Sequence, residues 1–484
     1  MALFNAKTRK RKKARKVINR AGGQAYKQSA KLALASTLLT SFAQNQYYRR
    51  PQDIFKEMAA NIIEADPLFA AKAAVFARNE FGMRSITHVL AAELAAYASG
   101  EAWAKHFYNK VIRRPDDMLE IAAYYKGIGG GNLTNGMKKG FAKAFNKFDA
   151  YQLAKYRGDR KAVKLVDIVN MVRPIPTAKN AEALKQLIAG DLKNTETWEA
   201  QLTEAGHAYN KSTAKAQVWA NLLKEGKLGY FALIRNLRNI LGQAPNMIDE
   251  VCRQLVDPKR IKNSLVLPFR LLVAYKQLNG HDRATRKVKN ALENAIDIAC
   301  NNVPDLPNTL VVVDNSGSMG CNVSNSKHTK CNEMGALFGM IVAKRSGADL
   351  MEFGTTARYI TYRRRDSVMR FSANFAQNNQ VGHGTNFHSI FNTAKRKYDR
   401  IIIFSDMQGW IGGYMPTDAL KNYKYRTDSN PFIYSFDLAG YGDMQFLENK
   451  VCALAGFSDK VFDMMSAVET DPKVLIKTIE AVEL

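Results

Sequence analysis

A short apolar segment that ends in acidic and hydroxyl side chains constrains the fold of this chain most strongly. Residues 310–313 are Leu-Val-Val-Val, and Asp314, Ser316 and Ser318 follow them. A continuous apolar run of this length predicts a strand that is buried on both faces. After Pro304, apolar runs at 348–353, 401–404 and 431–437 alternate with helical patterns near 331–345, 386–397 and 470–482. This alternation predicts a doubly wound α/β domain with a parallel sheet.

Polar residues at the ends of two of these strands predict a metal site. Asp406 follows the apolar run at 401–404, and Thr385 lies in the glycine-containing segment 382–386. In doubly wound sheets, ligands bind beyond the carboxyl ends of the strands, where the strand order reverses. Two carboxylates and three hydroxyls supply the oxygen ligands that Mg²⁺ prefers, and they leave one coordination position open. We therefore expect a divalent cation, with Mg²⁺ the first choice, at Asp314, Ser316, Ser318, Thr385 and Asp406.

Positive charge is concentrated in the first part of the chain. The net charge of the whole chain is +27 at pH 7. Residues 1–304 carry 51 lysine and arginine residues against 25 acidic residues, whereas residues 305–484 carry 20 against 19. A sustained positive excess indicates a polyanionic partner, either nucleic acid or an anionic membrane. No apolar run approaches the length of a membrane span, so we expect no membrane partner.

The basic first part has the pattern of one helix after another. Helical apolar spacing covers residues 66–81 and 85–99, and Pro115 followed by two acidic residues marks a helix start. Short breaks and the lack of strand signals between about residues 53 and 300 predict an α-solenoid of stacked helix pairs, with no fixed repeat period. The first 52 residues contain 13 lysine and arginine residues and no acidic residue. We expect residues 1–20 to form a disordered basic tail that touches nucleic acid, although a transit peptide or a nuclear signal would share this composition.

The five cysteines are odd in number and scattered along the chain. A disulfide framework is therefore not expected, and a reducing cytoplasm fits this cysteine usage. Cys321, His328 and Cys331 lie close together in the sequence and could bind zinc, but a fourth ligand is missing.

Two family resemblances follow from these motifs. The order Asp-x-Ser-x-Ser, then Thr, then Asp resembles the metal-ion-dependent adhesion site of von Willebrand factor A domains at all five positions. The preceding part resembles the TROVE module of Ro ribonucleoproteins in segments that occur in order, namely 21–26, 66–78, 83–85, 111–117, 138–145 and 151–156. The resemblance implies a TROVE domain at 21–303, built as a HEAT-like helical ring or horseshoe, which an A domain at 304–484 closes.

The resemblance also implies a function. Proteins of this family bind small non-coding Y RNAs on the outer face of the ring. They take single-stranded 3′ ends of misfolded or decaying RNA into the central hole, in cooperation with exonucleases. We therefore expect a cytoplasmic, monomeric, non-enzymatic ribonucleoprotein component for RNA quality control. Its expected partners are a Y-like small RNA, structured RNA with single-stranded 3′ ends, and an exoribonuclease.

Residues for RNA binding follow from the resemblance and from the local charge. The family uses a basic helix and a histidine just ahead of a basic-proline pair; here the pair is Arg173-Pro174, and Met171 stands at the histidine position. This departure bears on standard Y-RNA recognition rather than on general RNA binding. The residues expected to bind RNA are Lys138, Lys139, Lys143, Lys155, Arg157, Arg160, Lys161 and Lys164. Four tyrosines could stack on unpaired bases or belong to the core: Tyr47, Tyr48, Tyr124 and Tyr125.

Two other functions remain open on the sequence. The A domain could hold an acidic group of a protein partner through its metal, with the basic part serving solubility. A metal-dependent nuclease is the second alternative, but no histidine or glutamate is recognisably placed as its base. An NTPase is not expected, because the chain has no Gly-x-x-x-x-Gly-Lys-Ser/Thr loop.

Overall fold

The computed structural model describes residues 15–193, 197–323, 328–447, 450–456, 458–471 and 473–484. Helices fill the part before residue 300, as the apolar spacing predicted. They are α1 Ala30–Thr40, α2 Pro51–Ala65, α3 Pro67–Asn79, α4 Ser85–Glu93, α5 Ala104–Val111, α6 Pro115–Gly127, α7 Asn135–Ala144, α8 Ala150–Lys155, α9 Leu165–Val172, α10 Ala181–Ala189, α11 Trp198–Ala205, α12 Lys211–Lys224, α13 Tyr230–Gln243, α14 Ile248–Leu255, α15 Pro258–Ser264, α16 Pro268–Gln277 and α17 Arg283–Ala299.

Each helix of this region packs against near neighbours in the chain, and one contact joins distant parts of the array. α5 packs on α7, α12 on α13, and α14 on α17. Phe42, just after α1, contacts Phe269 in α16, with the ring centroids 5.7 Å apart. This contact brings the segment after α1 next to α16, although the two lie more than 200 residues apart in the chain.

A buried carboxylate ties three of these helices together. The Asp117 side chain is fully buried at the start of α6. It accepts hydrogen bonds from Arg78 in α3 at 2.9 Å, and from Arg84 and His88 at 3.0 Å each. The backbone N–H groups of residues 113 and 114 also donate to it. Because these donors stabilise the charged form, the pKa of Asp117 lies well below its ordinary value even though burial opposes this shift.

The part after residue 304 is a doubly wound α/β domain, which confirms the predicted fold class. Its strands are β3 Thr309–Asp314, β4 Asp349–Phe353, β5 Ala357–Ile360, β6 Arg400–Ser405, β7 Phe432–Asp437 and β9 Val451–Ala455. The sheet order is β5-β4-β3-β6-β7-β9, and all neighbouring pairs are parallel except β4 with β5. The strand order reverses beside β3. The helices are α18 Cys331–Ser346, α19 Val368–Asn374, α20 Phe387–Thr393, α21 Pro416–Thr427, α22 Lys460–Val468 and α23 Val474–Glu480.

Alternate side chains of β3 face the two helical layers of this domain. Val311 and Val313 pack with α18, whereas Leu310 and Val312 pack with α20 and α21. Gly339 in α18 lies so close to β3 that an added Cβ would stand 2.6 Å from a Val313 methyl group. The strand is thus buried on both faces, as its continuous apolar sequence predicted.

The N-terminal segment joins the two parts of the molecule. Strands β1 Lys16–Ile18 and β2 Gln24–Lys27 form an antiparallel hairpin, and β2 pairs with β8 Asp443–Met444 of the α/β domain. The predicted disordered tail at 1–20 is therefore wrong for residues 16–18, because strand pairing orders them. Residues 1–14 lie outside the described part. Among the described helices, none combines the length and apolar character needed to cross a membrane.

Candidate metal centre and nucleic-acid interface

The structure brings the five predicted metal ligands to the carboxyl edge of β3 and β6. Asp314 ends β3, and Asp406 directly follows β6. The Asp314 carboxylate accepts hydrogen bonds from the Ser316 N–H at 2.8 Å and from the Ser405 hydroxyl at 2.5 Å. The hydroxyl oxygens of Ser316 and Ser318 are 3.4 Å apart. The predicted position at the reversal of strand order is therefore where these side chains meet.

Two backbone contacts place the Thr385 loop beside this edge. The Gly317 N–H donates to the His383 carbonyl at 2.8 Å, and the Trp410 N–H donates to the Thr385 carbonyl at 3.1 Å. The first contact joins the loop to the turn after β3, and the second joins it to the segment after β6. All five predicted ligands are between 0% and 4% exposed.

The electrostatics of this cluster fit a cation. Burial raises the pKa of Asp314 to about 6. Burial, followed by repulsion from Asp314, raises the pKa of Asp406 well above its ordinary value. One carboxylate oxygen of Asp406 is buried without a hydrogen-bond partner among the described residues. A divalent cation would offset the repulsion and satisfy this oxygen, and the two carboxylates and three hydroxyls suit a hard cation such as Mg²⁺.

A loop of the helical region covers the cluster. Tyr48, between α1 and α2, lies near Ser318 and the Asp406 carboxylate, and its N–H donates to the Tyr441 hydroxyl at 3.4 Å. Burial raises the pKa of Tyr48 to about 12, and the nearby Asp406 carboxylate adds to this shift. The side chain of Gln44 in the same loop donates to the Val323 carbonyl at 2.9 Å. A partner protein could therefore reach the cluster only after this loop moved, which the sequence alone did not indicate.

The basic residues predicted for RNA binding divide into two groups. Lys139 and Lys143 are exposed one turn apart on α7, with Lys138 half-buried beside them. Arg160 and Lys164 are exposed in the segment between α8 and α9. Within the described ranges, these five residues form no ion pair.

The other three predicted RNA-binding residues have partners within the protein. Arg157 pairs with Asp159 and donates to the Leu192 carbonyl, and Lys161 pairs with Glu120. Lys155 lies 5.7 Å from the ring centroid of Tyr151 and 5.9 Å from that of Tyr156. Arg157 and Lys161 therefore each have an ion-pair partner within the protein, and their contact with RNA stays a prediction.

The aromatic residues near these cations differ from the four that the sequence suggested. The Arg114 guanidinium lies 4.4 Å from the ring centroid of Tyr156, and Tyr151 is exposed. By contrast, the Tyr124 hydroxyl donates to Glu93 at 3.3 Å, and its ring packs against Phe55. The aromatic and cationic side chains at Tyr151–Tyr156 and Arg114 are the kind that binds unpaired bases.

The predicted zinc site is not supported. Among the described residues, no group of three or more His, Cys, Asp or Glu side chains could hold a metal ion. The exposed His328 does not complete a ligand set with Cys321 and Cys331, although the sulfur atoms of the two cysteines are 3.2 Å apart.

Comparison with known proteins identifies the family. The family model described as "TROVE domain" matches residues 24–190 and 184–327. The chain belongs to the TROVE domain family. The model "Ro60 vWA domain" matches residues 308–434, which include β3, the Thr385 loop and β6 with Asp406. The two matches agree with the resemblances that the sequence motifs indicated.

This TROVE-domain chain is similar to three known proteins. It is 24% identical over 476 residues to "RNA-binding protein RO60" of Deinococcus radiodurans, with 86% of this chain and 88% of the relative covered. The crystal structure of the Deinococcus radiodurans RO (RSR) protein matches 93% of this chain and 99% of that chain, with a TM-score of 0.56 and 19% identity. "Telomerase protein component 1" of Mus musculus is 22% identical over 345 residues, but this chain spans only 13% of its length.

Proposed function

We propose that this protein binds RNA through the basic surface of its helical region and is not an enzyme. The observation that carries the proposal is the distribution of charge. Residues 1–304 contain 51 basic and 25 acidic residues, whereas residues 305–484 are nearly neutral. The TROVE match falls mostly on that basic part, and one relative of similar length bears the name "RNA-binding protein RO60".

The contact surface that we propose consists of Lys139 and Lys143 on α7, Arg160 and Lys164 before α9, and the nearby Tyr151 and Lys155. Four of these residues are exposed cations that form no ion pair among the described residues: Lys139, Lys143, Arg160 and Lys164. They would contact phosphates, which gives affinity without sequence information. Tyr151 and the Arg114–Tyr156 pair would stack on unpaired bases.

The RNA class that we propose is a small Y-like non-coding RNA together with structured RNA that ends in a single-stranded 3′ tail. The family resemblance implies a ring or horseshoe of helices that the A domain closes, and the central hole of such a ring would discriminate by shape between a single strand and a duplex. Quality control of RNA in the cytoplasm, with an exoribonuclease as partner, is the cellular role that fits this selectivity. Met171, half-buried against the core, stands where a histidine would help standard Y-RNA recognition. We therefore expect selection by shape to outweigh sequence readout.

The candidate metal centre has a structural role in this proposal. Asp314, Ser316, Ser318, Thr385 and Asp406 would hold Mg²⁺, which would supply positive charge between the two buried carboxylates. Because Tyr48 covers the cluster, the metal would stabilise the contact between the α/β domain and the helical region. Capture of an acidic protein partner is less well supported, since the five ligands are buried beneath that loop.

Replacement of Lys139 and Lys143 by alanine tests the contact surface. Each lysine near a phosphate at about 4 Å contributes about 1 kcal/mol in a water-like dielectric, so the double variant should bind RNA roughly 30-fold more weakly. The slope of log affinity against log salt should fall by about 1.4, since each contact to a single strand accounts for about 0.7. Fluorescence anisotropy with a labelled stem-loop RNA measures both quantities.

The matched control removes two exposed lysines from the α/β domain, Lys395 and Lys473. It changes the net charge by the same amount, so it separates a local contact from the overall electrostatic field. Equal losses in the two double variants would contradict the proposed surface. Sequencing of the RNA that co-purifies with the native protein then tests the RNA class. A dominant small stem-loop RNA supports a dedicated Y-like partner, and a mixture with frayed 3′ ends supports surveillance alone.

A further inference from the structure

Two of the five cysteines lie in contact beside the candidate metal centre. The sulfur atoms of Cys321 and Cys331 are 3.2 Å apart. The main chain holds them in this position, because the Cys331 N–H donates to the Cys321 carbonyl at 2.9 Å and Asn322 pairs with Lys330 as an antiparallel bridge. A disulfide bond needs a sulfur separation of about 2.0 Å. Closing this bond therefore requires a shift of roughly 1 Å between two groups that the backbone already pairs.

Cys321 and Cys331 differ in solvent exposure, so they would have different roles in an oxidation reaction. Cys321 is half-buried in the turn after Ser318, whereas Cys331 is buried at the first residue of α18. The contact between the two thiols, in which either sulfur could be the donor, lowers the pKa of Cys321, and a hydrogen bond with the Tyr47 backbone acts in the same direction. The same thiol contact, together with burial, raises the pKa of Cys331. Cys321 is therefore the more accessible of the two thiols and the one that a small oxidant reaches first, and the Cys331 sulfur lies in contact with it.

We propose that Cys321 and Cys331 are a reversible redox pair, which hydrogen peroxide or another hydroperoxide converts to an intramolecular disulfide. The Cys321 thiolate attacks one peroxide oxygen, the O–O bond breaks, and the leaving hydroxide takes up a proton to become water. This step gives a sulfenic acid at Cys321. The Cys331 sulfur then attacks the Cys321 sulfur, and the hydroxyl group leaves as a second water with the Cys331 proton. Two thiols are oxidised by two electrons, and one peroxide is reduced to two waters.

The bond would lock the turn that carries a candidate metal ligand. Ser318 lies three residues before Cys321, and the Ser318 turn contacts Tyr48 of the helical region. Cys331 opens α18, the helix that packs against β3. A disulfide would therefore fix the Ser318 turn to the first turn of α18. A pair of this kind suits a cytoplasmic protein, in which disulfides are transient and respond to oxidants.

The test uses the full-length reduced protein and hydrogen peroxide. After brief treatment with a small excess of peroxide, free thiols are alkylated and the protein is digested with trypsin. Cleavage after Lys330 separates the two cysteines, so a disulfide joins two peptides that would otherwise be independent. We expect one cross-linked peptide pair containing Cys321 and Cys331, a loss of two of the five titratable thiols, and full recovery after dithiothreitol. Amides of the turn should also exchange more slowly with deuterium in the oxidised protein.

Single variants separate the proposed roles. In Cys331→Ser, the Cys321 sulfenic acid has no resolving thiol, so dimedone should trap it; in Cys321→Ser, dimedone should trap nothing at position 331. Cys252→Ser is the matched control, because Cys252 is also half-buried but lies in α14, and it should leave the cross-link intact. Circular dichroism verifies that each variant folds. Cross-linking of other cysteine pairs, dimers through Cys252, or retention of all five thiols would overturn the proposal.

Discussion

The buried carboxylate of Asp117 offers the sharpest test of how the helical region is held together. In Asp117→Asn the side chain keeps its shape but loses the charge that Arg78, Arg84 and His88 face. Removing one partner of a buried charge pair destabilises a protein by about 3–5 kcal/mol, because the remaining charges stay buried without compensation. At about 2 °C per kcal/mol for a large domain, the melting temperature should fall by about 6–10 °C.

The neighbouring residue supplies a matched control. Asp116 pairs with Arg84 and Arg114, and those two arginine side chains are about one-third exposed. Asp116 is itself mostly buried, but both of its arginine partners reach solvent, so Asp116→Asn should lower the melting temperature less than Asp117→Asn does. Both variants change the net charge equally and lie in the first turn of α6. Thermal melts followed by circular dichroism measure the difference.

The pH dependence of the Asp117 effect has a defined sign. The pKa of Asp117 is depressed in the folded protein, so the charged form contributes stability above the unfolded pKa of about 3.9. That contribution declines as the pH falls toward the folded pKa. The difference in melting temperature between wild type and Asp117→Asn should therefore be constant from about pH 6 to 8 and shrink below about pH 4. Equal effects of the two variants at neutral pH would refute the assignment of Asp117 as the central carboxylate.

Two further predictions concern the α/β domain. Mg²⁺ at about 100 times its dissociation constant should stabilise the wild type by about 2.7 kcal/mol, and Asp314→Ala should abolish this gain. Thermal melts with Mg²⁺ and with EDTA measure it, and an equal gain in the variant would contradict the metal site. Gly339→Ala should destabilise the protein by about 1–3 kcal/mol, because its Cβ would stand 2.6 Å from Val313. Gly242→Ala in α13 is the control: no atom lies within 4 Å of its added Cβ, so it should stabilise the protein by about 0.5–1 kcal/mol. Denaturation experiments measure both variants, and a gain in stability for Gly339→Ala as well would contradict the close packing of α18 on β3.

The sequence was sufficient for features that depend on local patterns. The run at 310–313 became the central strand β3 because four consecutive apolar residues can be buried only between two layers. Strand ends in a parallel sheet share one edge, so Asp314 and Asp406 could be placed together before any coordinates. Pro115 begins α6 because proline fits the first helical position.

Features that depend on distant contacts could not be predicted in this way. Tyr48 lies over the candidate metal centre only because the fold brings residues about 270 positions apart together. The pairing of β2 with Asp443–Met444 could not be predicted, because a strand of two residues is too short to show an alternating apolar pattern in the sequence. Lys161 resembled a free surface cation until Glu120, on another helix, proved to be its partner. The sequence shows which residues are charged, whereas only the fold shows which charges are already compensated.

The central claim is that the helical region binds RNA that has a single-stranded 3′ end. Anisotropy titration of one stem-loop RNA, with and without a single-stranded 3′ tail and at two salt concentrations, tests it most directly. We predict tighter binding of the tailed RNA and a steep loss of affinity at the higher salt concentration. Equal affinity for the tailed and blunt forms, or no binding at low salt, would contradict the account.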